Sequence, residues 1–114
     1  MAAKMIQFEK DIAHEHDNRR DEFNDKLVES IEEVLNFSKV VLNFLELDTA
    51  FKRGEIVKNP RLFSSGLEDL FGDSASGIEE LIVERFYSKI KLKFVRSRKK
   101  TFTEYVNEAL NSYI

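Results

Sequence analysis

Residues 59–94 read NPRLFSSGLEDLFGDSASGIEELIVERFYSKIKLKF, and this run decides the fold. Asn59 suits an N-cap and Pro60 the first helical position, where its fixed φ fits and its missing N–H would have gone unpaired anyway. Leu62, Phe63, Leu67, Leu70 and Phe71 then recur at helical spacing, and Gly72 supplies the left-handed residue that ends a helix. Gly66 inside this helix costs about 1 kcal/mol relative to alanine. Its presence predicts the close approach of a neighbouring helix. A second helix follows, capped by Asp73, Ser74 or Ser76; Ser76 with Glu79 has the spacing of a capping box. Ile78, Leu81, Ile82, Phe86 and Ile90 form its expected buried stripe, leaving Glu79, Glu80 and Glu84 to solvent.

Upstream, Phe23, Leu27, Ile31, Val34, Phe37, Val41 and Phe44 recur by threes and fours. Two readings stand: one helix of more than twenty residues, or a break near Ser38 giving helices at about 21–36 and 38–47. Val40, Val41, Phe44, Leu45 and Leu47 are so densely apolar that the second segment is expected to be the central core helix. Residues 48–58 read as a connection from which Ala50–Phe51 or Ile56–Val57 tuck inward. Glu32 and Glu33 read as solvated helix residues rather than a catalytic pair, since adjacent helical positions diverge by about 100°.

Downstream of Tyr87 the period changes. Lys89, Lys91 and Lys93 alternate with Ile90, Leu92 and Phe94, as in a half-buried strand. The alternatives are a short strand at 90–95 that finds a partner, or a helix ending near Lys91 followed by an extended linker, and the linker is preferred. Thr101 and Glu104 have capping-box spacing, and Phe102, Tyr105, Val106, Ala109, Leu110 and Tyr113 mark a final amphipathic helix that closes the core.

At 114 residues and 42% hydrophobic content, the chain has the size of one domain with one core. One proline and four glycines are too few for a β sandwich or barrel. The expected fold is therefore an all-α bundle of about five helices over residues 21–114, preceded by an arm or frayed helix at 1–20, where Met5, Phe8 and Ile12 share one helical face. Zero cysteines exclude disulfides and thiolate metal sites and suit a reducing compartment. Residues 1–13 lack the apolar core of a leader, and no apolar run reaches the roughly 18 residues of a membrane span, so a cytoplasmic protein is expected. His14 and His16, two positions apart, point about 200° from one another on a helix and predict solvated side chains rather than a metal site.

The formal charge of −3 conceals an asymmetry. Arg85, Lys89, Lys91, Lys93, Arg96, Arg98, Lys99 and Lys100 place eight of the 18 basic residues in one acid-free stretch. Such a stripe reads either as a complement to the acidic remainder, within or between copies, or as a nucleic-acid contact in which Tyr87, Phe94 and Phe102 stack on bases. Acids at Glu79, Glu80 and Glu84 argue against a recognition helix in a major groove.

The run beginning at Leu42 and ending at Phe94 resembles the Nitrosopumilus output domain, a family of small archaeal helical modules found alone or in signalling-type chains. The resemblance rests on the Leu-rich helix at Val40–Leu45, the Asn59–Pro60 start, the Leu70–Phe71–Gly72 corner, the Ile78–Glu79 pair, and Tyr87 ahead of a Lys/Leu/Phe run. It implies a helical signalling-output module with no cofactor and no catalytic residues to carry over. The residues themselves show no nucleophile, base and oxyanion arrangement. The expected function is thus a non-enzymatic interaction or regulatory module with a protein partner, a homodimer being compatible; nucleic-acid binding through the basic stripe is the alternative, and an enzyme ranks third.

Overall fold

The computed structural model describes residues 19–113. Among them are five α-helices and no strand: α1 at residues 19–34, α2 at Ser38–Asp48, α3 at Pro60–Phe71, α4 at Ala75–Lys89 and α5 at Phe102–Tyr113. The all-α bundle expected from the sequence is the observed fold. Met5, Phe8, Ile12, His14 and His16 lie outside the described residues.

The chain does break before Ser38. α1 ends at residue 34, a turn covers residues 35–37, and the Ser38 N–H donates to the Leu35 carbonyl at 3.2 Å. Phe23, Leu27 and Ile31 are fully buried along α1, as their spacing predicts. The connection after α2 tucks Phe51, Ile56 and Val57 into the core and forms a 3₁₀ turn at Arg53–Lys58. Asn24 of α1 clamps that turn. Its Nδ2 donates to the Arg53 carbonyl at 2.8 Å and its Oδ1 accepts the Val57 N–H at 3.0 Å, which satisfies backbone groups that burial would otherwise leave unpaired.

Pro60 occupies the first turn of α3 as expected, although the Asn59 side chain makes no capping bond. Gly72 ends the helix at φ 57°, ψ −129°, a conformation open to glycine. Gly66 is the close-approach glycine the sequence implies: a Cβ there would lie 2.4 Å from Leu45 Cδ2, so α2 rests its Leu45 directly on the α3 backbone. α3, α4 and α5 pack on one another pairwise. Aromatic rings fill the space between them. Phe63 packs against Phe51 and Phe102 at centroid distances of 5.8 and 5.4 Å, while Phe23 meets Phe86 edge-on at 4.8 Å.

Past α4 the period-two pattern at 90–95 does not make a strand; this segment carries no regular structure beyond a turn at Ile90–Lys91. The reason lies in how α4 ends. Lys91 takes the left-handed conformation at φ 60°, its N–H donates to the Ser88 carbonyl at 3.3 Å, and the Leu92 N–H reaches back to the Tyr87 carbonyl at 2.9 Å. These two bonds are the Schellman closure, here built on a lysine instead of the usual glycine. Leu92 and Phe94 then fold onto the core, and Phe94 packs against Tyr87 and Tyr105. The alternation records a linker that dips into the core, not a pleat.

Two helix faces differ from their expected orientation. α2 is not a central helix, because only Ser38, Val41, Leu42 and Leu45 are buried. α4 buries Ala75, Glu79, Ile82, Val83, Phe86 and Tyr87, so its inward face is rotated from the expected stripe and leaves Leu81 exposed. α4 starts at Ala75, one residue before Ser76, and no side chain caps it. The Ser76–Glu79 capping box is therefore absent, and Glu79 faces the interior instead of solvent.

Candidate functional site

Three surfaces result from this packing. The first is the outer side of α2. Phe37, Val40, Phe44 and Leu47 recur by three, four and three, and they are 74%, 67%, 48% and 89% exposed. Such spacing draws them into one ridge along the helix. Full side-chain areas make this ridge on the order of 500 Å², comparable to the largest apolar patch of a typical monomer, which is often functional. Its neighbour across the helix is polar and well ordered by charge. Arg53 forks onto Glu46, with Nη2 2.8 Å from Oε1 and Nε 3.2 Å from Oε2, and the Arg53 N–H also donates to Oε2 at 2.9 Å. That pairing holds the Glu46 carboxyl below its usual range, chiefly through the Arg53 side chain.

The second surface is the basic stripe, and the structure divides it. Lys89 and Arg85 on α4 reach Glu33 of α1 at 2.6 and 3.2 Å, and Lys89 also lies 3.8 Å from Glu29. The Lys89 hydrogen bond, with help from Arg85, lowers the Glu33 pKa. Arg96 pairs with Glu80, and Lys100 with Glu108 at 2.7 Å. Lys91, Lys93, Arg98 and Lys99 make no ion pair among the described residues and are exposed. The aromatic residues interleaved with the stripe face inward. Tyr87 and Phe102 are buried, Phe94 is half-buried, and the Tyr87 hydroxyl donates to the Tyr105 carbonyl at 2.7 Å. Burial raises the Tyr87 pKa to about 12.

The third surface is a cleft of about 420 Å³ between α3, α4, the loop at 97–101 and α5. Sequence reasoning missed it. Glu79 stands in its wall, only 8% exposed, and accepts a hydrogen bond from Ser64 Oγ at 2.8 Å. Burial raises the Glu79 pKa, the Ser64 bond works against this, and the nearby Glu68 charge adds to the rise. Glu80 also lines the cleft and is taken up by Arg96. The opposite wall is the loop carrying Arg98 and Lys100. Tyr105 fastens this loop from both sides: its hydroxyl accepts the Ser97 N–H at 2.8 Å and donates to the Ser97 carbonyl at 3.1 Å. Thr101 then caps α5 by accepting the Glu104 N–H at 3.2 Å, as its spacing predicts. The signal that would have found Glu79 is its register: 75, 79, 82 and 86 share one helical face, with a glutamate among core residues.

Among the described residues no helix is long and apolar enough to cross a membrane, and no cluster of three or more potential ligands could hold a metal ion. Neither a family model, a curated protein nor a solved structure matches the chain.

Proposed function

We propose that this chain is a non-enzymatic helical interaction module, of the signalling-output kind its sequence resembles, and that its contact surface is the exposed ridge of α2. The observation that carries the reading is the ridge itself: four large apolar residues in water, where α2 has a second apolar side already satisfied by the core. A helix needs only one such face to join its own domain.

The occupant proposed is a second copy of the chain. The three-four-three spacing is symmetric about residue 42, so two α2 helices crossing antiparallel on a two-fold axis set Phe37 against Leu47 and Val40 against Phe44, in both directions. Pairing two ridges buries on the order of 1,000 Å², the lower bound for a specific interface. The dimer is accordingly weak and reversible, as suits a regulatory contact. Sedimentation velocity over a concentration series tests it. A concentration-dependent dimer that Phe44→Glu converts to monomer supports the reading, and a wild-type chain that stays monomeric at every concentration rejects it.

A second reading, nucleic-acid binding, keeps Lys91, Lys93, Arg98 and Lys99 as phosphate contacts because those four carry no ion pair among the described residues. With four contacts at most, the log–log salt slope on duplex DNA is no steeper than about −3.6. Fluorescence anisotropy at two salt concentrations measures it.

A further inference from the structure

The α3–α4–α5 cleft contains charged groups that make no ion pair among the described residues. Of its carboxylates, Glu80 is neutralised by Arg96, but Glu68 and Glu79 meet no cation among the described residues. Among the described residues Ser64 is the one side chain that hydrogen-bonds Glu79, and it engages a single carboxylate oxygen, Oε2. Of the cleft's cations, Lys100 is held by Glu108, while Arg98 has no carboxylate partner among the described residues. The helical wall thus carries the buried Glu79 and the exposed Glu68, and the loop wall the exposed Arg98 guanidinium, none of them in an ion pair among the described residues.

A carboxylate that is more than nine-tenths buried beside a like charge is costly to maintain. A neutral residue at position 79 would pack with the surrounding Ala75, Ile82 and Val83 at no such cost. Strain of this kind persists where a ligand relieves it. A small cation seated against Glu79, with Glu68 on the same wall of the cleft, supplies such relief. Arg98 at the exposed rim of the cleft offers a complementary contact, since a guanidinium fork is matched by a planar anion such as a carboxylate.

We infer that the cleft is a binding site for a small amino-acid-like zwitterion, its ammonium seated against Glu79 and Glu68 and its carboxylate on Arg98. The volume of about 420 Å³ lies in the lower part of the range for small-molecule sites. The hydroxyls of Ser64, Ser76 and Thr101 line the same space and supply further hydrogen-bonding groups. Tyr105 keeps the loop wall in place before any ligand arrives, which limits the ordering that binding must supply. No metal is needed: a lone ammonium satisfies the two carboxylates with three donors. This site is separate from the α2 ridge, so its failure leaves the interaction reading untouched.

The test is a ¹H–¹⁵N NMR titration of the full chain with glycine, γ-aminobutyrate and 6-aminohexanoate, and with butylamine and butyrate as single-charge controls. The length series measures the span between the two walls. The expected result is saturable shifts at Ser64, Glu79 and Arg98 for at least one amino acid, at concentrations on the order of 10 mM or below, with binding at least about tenfold tighter than either control. Glu79→Gln preserves shape and the Ser64 bond, and Arg98→Gln alters an exposed side chain, so both variants keep the fold; each is expected to weaken binding by about tenfold or more. Absence of saturable shifts for every amino acid overturns the inference. Equal binding of butylamine, which would mark a simple acidic trap for cations, overturns it too, as does unchanged affinity in both variants.

Discussion

α2 and α4 use opposite chemistry on opposite faces. α2 presents Phe37, Val40, Phe44 and Leu47 to water, whereas α4 turns a glutamate into the core along with five other buried residues. If fold stability alone had shaped both helices, the apolar ridge would face inward and Glu79 outward. Each helix departs from the binary pattern, with an exposed apolar surface on one and a buried carboxyl held by Ser64 on the other. Departures of this type mark places where a sequence serves something besides the fold.

The comparison breaks if the two faces of α2 prove energetically alike. Leu45→Ala, on the buried face, is expected to cost about 2–5 kcal/mol by loss of burial and creation of a cavity above Gly66. Phe44→Ala, one residue earlier on the ridge, is expected to change stability at low protein concentration by no more than about 0.5 kcal/mol. Urea unfolding of both variants decides it. Gly66→Val probes the same contact from the α3 side, where the new side chain must displace the buried Leu45, with an expected loss of about 1–3 kcal/mol.

The α4 half sharpens through pH. A carboxyl whose pKa is raised by folding binds its proton more tightly in the native state, so stability falls as pH rises from 4.5 through the native value. Glu79→Gln removes that fall. The variant is expected to be more stable than wild type at pH 7, with the difference vanishing as pH drops to 4.5, as measured by thermal unfolding at the two pH values. Glu33 and Glu46 act with the opposite sign in a separate window: their lowered pKa values give stability that is present above 4.5 and lost as pH falls below it. A modest gain is expected at the end of α4. Lys91→Gly relieves the left-handed strain of a side chain at φ 60°, and a gain of about 0.5–1 kcal/mol in urea unfolding is expected.

Helix number and placement were legible in the sequence because caps, breakers and periodicity are local. Pro60, Gly72 and Thr101 mark ends that the structure keeps, and Phe23, Leu27 and Ile31 mark a buried face directly. Orientation was less legible. Val40, Val41, Phe44, Leu45 and Leu47 form a single apolar arc of about 160° on α2, so periodicity could not say which edge of it meets the core; Gly66 decides it by admitting Leu45. Glu79 was assigned to solvent by residue type, although its register placed it with Ile82 and Phe86. The cleft was illegible for a different reason. It joins α3, α4 and the loop after them, and only the tertiary arrangement brings Ser64 to Glu79, fifteen residues on. In the basic stripe, composition showed eight cations but not that four of them are spent on Glu29, Glu33, Glu80 and Glu108.

Asn24 has a kinetic consequence as well. Its two hydrogen bonds span 29 and 33 residues of chain, so neither forms until α1, α2 and the turn at Arg53–Lys58 have come together. A clamp of that reach belongs to the late side of the folding barrier. Replacing Asn24 with alanine is therefore expected to steepen the loss of native molecules by speeding unfolding, with little change in the refolding arm of a stopped-flow chevron. With that outcome, one amide of the α1 segment is the latch that sets how long the assembled core survives between openings.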